Sequence, residues 1–220
     1  MSYSKPVTYT QLKTLIQAEV EQNTDTPDSN DVAYWLVIIN RLISDWEELR
    51  EWKELWTYET SGGTLTAGDT TYPMNAAVRR LSEVIELVDS DGNISYIPVI
   101  ESAQKQHYTA QQVRAAYVTG VAGSYVLNLT WTPQSTDSDI GATIKYPYYK
   151  YATKLSADAD VVEMSDPNWL VDATVAEVSN QPFKKQTFDA RAQAKMRQML
   201  FNNEDAEDQT IPDDELGFGT

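Results

Sequence analysis

His107 is the single histidine of the sequence, and it lies in a polar stretch of Gln and Lys. A nucleophile–histidine relay would need it, yet no Gly-x-Ser-x-Gly elbow accompanies it, so it reads as a surface residue. There is no cysteine, which removes thiolate catalysis, zinc–thiolate sites and disulfides together. Gly120-Val-Ala-Gly123 has neither the spacing nor the lysine of a phosphate-cradling loop. Asp89, Asp91 and Asn93 mimic the opening of a calcium loop. The glycine falls at the fourth place of the loop instead of the sixth, however, and Ile100 stands where the bidentate Glu belongs, so a hairpin turn is the better reading. The carboxylates Glu47, Glu48, Glu51 and Glu54 read as a solvated helix face. Tyr146, Tyr148, Tyr149 and Tyr151 could stack on sugars, but sheet packing accounts for them more simply. No catalytic group, metal or cofactor is expected.

The elements that carry these residues mix helix and strand. The 220 residues are 41% apolar, enough for a real core. No stretch approaches the ~20 apolar residues of a membrane span. Met1-Ser-Tyr-Ser-Lys-Pro6 lacks the apolar core of a secretory signal, so assembly in a bacterial cytoplasm is expected. Net charge is −16, from 33 acidic and 17 basic residues, which argues against wrapping nucleic acid by phosphate neutralisation. The charge comes in blocks. Lys184, Lys185, Arg191, Lys195 and Arg197 face only Asp189, and Glu204–Thr220 carries seven acidic residues with no basic one. Blocks of this kind mark tails and docking segments.

Thr8 as N-cap and Gln11 three residues on predict a helix over 9–22, with Leu12, Leu15, Ile16 and Val20 on its inner face. Trp35, Leu36, Ile39, Leu42, Ile43, Trp46 and Leu49 predict a second helix over 31–56, about 40 Å long; a bundle core is the simpler place for its tryptophans, with a neighbouring subunit the alternative for Trp52 and Trp56, which lie past the tight stripe. Turn signals then break the chain into strands: 80–88 and 94–100 joined through Asp91-Gly92, a hairpin of 117–118 with 125–131, and a tyrosine-rich strand over 141–151. Asp166-Pro167 opens a third helix to about Ser179, with Trp169, Leu170, Ala173, Ala176 and Val178 inward. A basic amphipathic helix over 185–202 precedes the acidic tail.

This order of parts resembles the head-to-tail adaptors (connector, or tubular tail A type) of tailed, especially short-tailed, phages. The likeness rests on the Trp-rich run Trp46–Trp56 and on Gly63-Thr-Leu-Thr-Ala-Gly-Asp-Thr-Thr-Tyr-Pro73. It rests equally on Tyr125–Pro133, Ile144–Tyr151 and the return through Leu155 to Asp166-Pro-Asn-Trp-Leu-Val-Asp-Ala-Thr-Val.

The resemblance implies an α+β fold. An antiparallel helical bundle (1–57 and 152–180) would hold an inserted β-rich, hairpin- or sandwich-like subdomain (58–151) and carry a C-terminal docking helix with an acidic arm (181–220). It implies a dodecameric homo-oligomeric ring that joins the portal protein to a tail or nozzle protein in the virion neck. Genomic DNA would pass through without sequence-specific binding, and no membrane would be involved. The arm residues expected to dock on the portal are Phe188, Arg191, Lys195, Met196, Met199, Leu200 and Phe201, with Ile211, Leu216 and Phe218 as anchors in the tail. Glu47, Glu51, Glu54, Trp52 and Trp56 are the candidates for the channel wall or the subunit interface. Two other readings stay open: another tail-completion protein, or a carbohydrate-binding module using Trp131 and the tyrosine cluster.

Overall fold

The computed structural model describes residues 7–21, 29–111 and 113–207. The chain divides into two units, one of Met1–Glu54 with Ala152–Thr220 and one of Leu55–Tyr151. The described residues mix helices with antiparallel sheets, an α+β composition.

The first unit is helical. Helix α1 (Tyr9–Glu21) starts on a reciprocal cap, Thr8 Oγ1 accepting from the Gln11 N–H at 3.3 Å and Gln11 Oε1 from the Thr8 N–H at 3.0 Å. Two of the donors that every helix start leaves open are thereby satisfied. Tyr9, Leu12 and Ile16 are buried, but Leu15 is exposed, so the inner stripe is narrower than the spacing predicts.

Helix α2 (Ser29–Leu49) buries Trp35, Ile38, Ile39, Leu42, Ile43 and Trp46. It ends at Leu49, seven residues before the predicted Trp56, and Leu49 itself is exposed. The reason is local. Trp52 turns back and stacks on Trp46 at 5.0 Å between centroids, its indole Nε1–H donating to the Trp46 carbonyl at 2.6 Å. That carbonyl belongs to the last turn, whose acceptors have no partner within the helix. Trp52 therefore caps α2 instead of extending it.

Helix α4 (Asn168–Val178) follows Asp166, whose carboxylate accepts from the Asn168 N–H at 3.1 Å. All eight residues from Trp169 to Ala176 are buried, so this is a core helix covered on every side, not an amphipathic one with a single inner face. Helix α5 (Pro182–Glu207) is the longest, with proline in its first position, where the missing N–H costs nothing.

The second unit is built of sheets. Strands β1 (Trp56–Glu59), β3 (Val78–Leu81), β4 (Val84–Val88), β5 (Ile94–Pro98) and β8 (Thr143–Lys150) form one antiparallel sheet. Strands β2 (Thr71–Pro73), β6 (Ala116–Thr119) and β7 (Val126–Leu129) form another. A short helix, α3 (Lys105–Ala110), carries His107 on the surface. Ile144, Tyr146 and Tyr148 alternate inward on β8 and meet Leu65, Ile85, Leu87 and Leu127 in the core.

The single strand predicted over 80–88 is two. Strand β3 pairs with β8 at residues 148–150 and β4 at residues 143–145. Between them the Ser82 N–H donates to the Pro147 carbonyl at 3.1 Å, and Pro147 has no N–H to return the bond. The ladder opens there.

Gly120 turns the β6–β7 hairpin at φ 102°, and a Cβ on it would lie 2.4 Å from the Ser124 carbonyl oxygen. Only glycine fits.

The β4–β5 turn accounts for the calcium-like residues. Asp89 accepts from the N–H groups of Asp91 and Asn93, each at 2.9 Å, and from the Asn93 side-chain amide at 2.8 Å. These donors, the Asn93 side chain foremost, hold the Asp89 carboxyl below the ordinary range. Lowering the folded pKa stabilises the turn above the unfolded value, and that support is lost as pH falls through the folded value. An NMR titration should place the Asp89 midpoint below about 3.9. A midpoint at or above that value would mean that the turn does not draw on the charge.

Candidate interaction surface

The C-terminal helix pair is where the predicted docking residues fall. Three residues connect α4 to α5, which makes the two helices antiparallel neighbours. Phe188, Ala192 and Met199 recur along one stripe of α5 and are buried.

The most consequential contact in this pair was not anticipated from the sequence. Asp172, on the all-buried α4, is 1% exposed, and Arg191 approaches its Oδ1 at 3.2 Å and Lys195 its Oδ2 at 2.6 Å. A carboxylate taken out of water must be neutralised, and α5 supplies both cations. Lys195 also donates to the Asn168 carbonyl at 3.3 Å, and the Arg191 guanidinium lies 4.6 Å over the Phe188 ring. Lys184 donates to the Glu19 carbonyl of α1. At the far end the buried Asn203 accepts from the Lys53 N–H at 3.1 Å, and its amide donates to the Glu51 carbonyl at 3.1 Å. Helix α5 is thus fastened to the rest of its unit near both ends and in the middle.

These contacts revise the expected docking set. Phe188 and Met199 are core residues, and Arg191 and Lys195 are engaged with Asp172, because a helix packed against a core gives its apolar stripe and matching charges to that core. Met196 and Leu200 are half-buried, and Phe201 is 61% exposed. Phe183, which the sequence reading passed over, is 81% exposed. Helical spacing puts Phe183, Ala190, Ala194 and Phe201 on one outer face of α5, and all four are exposed. Ile211, Leu216 and Phe218 lie outside the described residues.

Beside this face runs a groove of about 760 Å³. Leu42, Trp169, Ala173 and Met196 line it, with Lys185 and Arg197 along α5.

The expected channel and interface residues are also redistributed. Glu51 and Glu54 follow the end of α2, so they do not share a helix face with Glu47. Glu47 itself is 6% exposed, accepts from the Ala152 N–H at 3.2 Å and lies 3.8 Å from Lys154. It is a buried carboxylate that holds the backbone at Ala152. Trp52 is fully buried as the cap of α2. Trp56 is exposed, but on strand β1, where it meets Tyr149 edge-on at 4.8 Å and an interplanar angle of 65°.

Tyr146 and Tyr148 point into the sheet core. Trp131 is half-buried beside Arg114, whose guanidinium lies 5.1 Å from its ring and pairs with Asp137 and Asp139. The coplanar open rings that sugar stacking needs are therefore not formed by these side chains. Among the described residues no His/Cys/Asp/Glu cluster has a metal-holding arrangement, and no helix is long and apolar enough to cross a membrane.

Large apolar rings held outward on a helix fastened to its own core are suited to packing against another protein chain. Over residues 7–213 this chain matches the family model described as SU10 adaptor protein, and it belongs to that family of phage structural adaptors. Membership implies contacts with other phage head and tail proteins and a place in the virion neck. No match was found among curated proteins.

Proposed function

We propose that this chain is the head-to-tail adaptor of its virion, a dodecameric ring that joins the portal to the tail and surrounds the path of the exiting DNA. The family match over nearly the whole chain carries the reading. The outer face of α5 supports it: Phe183 and Phe201 are large rings on a surface fixed by buried contacts, the kind of anchor that dominates binding at interfaces. In this reading that face and the acidic arm beyond it meet the portal. The second unit meets the tail or nozzle protein. The excess of acidic residues keeps passing DNA from adhering.

The test is the mass of the purified protein, alone and mixed with the portal of the same genome. A large complex of defined stoichiometry is the expected result. A protein that never associates with the portal would overturn the reading. Phe183→Asp with Phe201→Asp should weaken that association at least about a hundredfold, as loss of two aromatic anchors does. Its thermal unfolding should stay within about 0.5 kcal/mol of wild type, since both rings are exposed. Unaltered portal binding would move the docking face elsewhere.

A further inference from the structure

The five-stranded sheet of the second unit has two edges, β1 and β5, and among the described residues no strand pairs with the outer side of either. At the two ends of the β4–β5 ladder, the Val99 N–H donates to the Glu83 carbonyl at 2.7 Å and the Asp89 N–H to the Asn93 carbonyl at 3.1 Å. Such bonds fall on alternate residues of an antiparallel pair, so the N–H and C=O groups of Ile94 and Tyr96 point away from β4. A bridge from Val99 to Ala116 closes that edge only beyond Pro98. On β8 the Pro147 carbonyl turns toward Ser82, so Tyr146 and Tyr148 turn toward β1, where Glu59 and Thr57 stand opposite them. Trp56 and Tyr58 therefore present their backbone groups outward.

The side chains agree with the backbone. Trp56 and Tyr58 stand opposite Tyr149 and Pro147, and Ile94 and Tyr96 opposite Val88 and Glu86. All four lie on the face of the sheet away from Ile144, Tyr146 and Tyr148, and all four are exposed. Trp56 rests against Tyr149, and Tyr58 donates to the Glu86 carboxylate, so the rings of β1 are already held in place. Neither edge has a lysine or a mid-strand proline, the usual guards against strand addition.

We infer that the occupant of these edges is a second copy of this chain, β1 of one copy adding to β5 of the next. Three antiparallel steps separate β1 from β5, so the two run in opposite directions. Copies set side by side in one orientation then meet as an antiparallel pair. Outward residues must meet outward residues, which places Trp56 opposite Tyr96 and Tyr58 opposite Ile94, two ring-bearing pairs on one face. Joining like edges, β5 to β5, would leave every β1 open. The β1-to-β5 contact is head-to-tail and fills both edges of every copy once a ring closes. Four half-exposed side chains hide on the order of a few hundred Å², short of the ~1,200 Å² of a stable pair. The contact therefore adds to a larger assembly, and in this it rests on the ring reading given above.

The chain has no cysteine, so the contact can be trapped. Thr57→Cys with Ser95→Cys occupies the pair between the two ring pairs, where Cα atoms would stand ~4.5 Å apart, within disulfide reach. Inside one copy those positions are three strand spacings apart, ~14 Å, and cannot close. Mild oxidation of the full-length double variant bound to its portal should give a series of covalent multimers, with each single variant remaining monomeric on a denaturing gel. A portal complex without multimers would overturn the inference and leave the adaptor reading standing. Dimers from Ser95→Cys alone would assign β5 to a two-fold pair and overturn it as well. The free protein at about millimolar concentration should form the same multimers at least about tenfold more slowly, having lost the high local concentration of an assembly. Multimers there without any portal complex would support the edge contact and sink the adaptor reading, and their absence from both samples would overturn the inference. Ile94→Pro in the double variant should lower the multimer yield about tenfold. Its N–H points away from β4, so the strand keeps its own ladder while the next copy loses a donor. An unchanged yield would overturn strand addition.

Discussion

Replacing both cations that face Asp172, as Arg191→Ala with Lys195→Ala, is expected to destabilise the helical unit by about 3–5 kcal/mol, the cost of leaving a buried carboxylate unpaired. The estimate follows from burial. Asp172 is 1% exposed, whereas the Arg191 and Lys195 side chains are 49% and 25% exposed, so the cations have a route to water that the anion lacks. Asp172→Asn should cost less than the double replacement, because the freed cations can rehydrate and the amide keeps the shape. The triple variant with Asp172→Leu should recover most of the loss, since an apolar side chain needs no counter-charge there. Urea unfolding of all the variants closes the cycle and isolates the coupling. A double replacement that costs only the ~0.2–1 kcal/mol of an exposed ion pair would show that Asp172 is hydrated and that α5 is held by other contacts.

Trp52→Ala should cost a further ~3–5 kcal/mol in its own right, the range for emptying a large buried ring. Trp52 is fully buried and stacked on Trp46, and its indole N–H satisfies a carbonyl at the end of α2. Trp52→Phe separates the two contributions. It retains most of the packing but leaves the Trp46 carbonyl without its donor, a loss of about 1–3 kcal/mol. Trp56→Ala, on the exposed face of β1, should stay within about 0.5 kcal/mol of wild type. Thermal unfolding of the three variants decides between two roles for the tryptophan run. If Trp52→Ala left stability intact and altered only the association of copies, the ring would belong to an interface after all.

Those two results bear on how the chain was legible. Helix α1 and its Thr8/Gln11 cap, the hairpin through Asp91-Gly92 and the alternation along β7 follow from neighbours a few residues apart. Capping, turn geometry and side-chain period are local properties, so the order of residues suffices to find them. Helical spacing likewise marks Phe188, Met196 and Met199 as one stripe of α5. It cannot say whether the stripe faces a partner or the chain's own core, because a buried face and a docking face have the same period.

What only the tertiary structure decided depended on residues distant in sequence. Helix α2 stops short of Trp56 because Trp52 finds the Trp46 carbonyl and Asn203, some 150 positions away, satisfies the backbone of Glu51 and Lys53. Arg191 and Lys195 became structural once α4 placed a carboxylate beneath them. The strand over 80–88 divided where Pro147, on another strand, could not return a hydrogen bond. The sequence by itself determined that this is a cysteine-free, acidic chain of helices and strands, patterned as phage adaptors are. Which of its aromatic and charged side chains remain outside was settled by packing, since burial belongs to the assembled fold and not to any one segment.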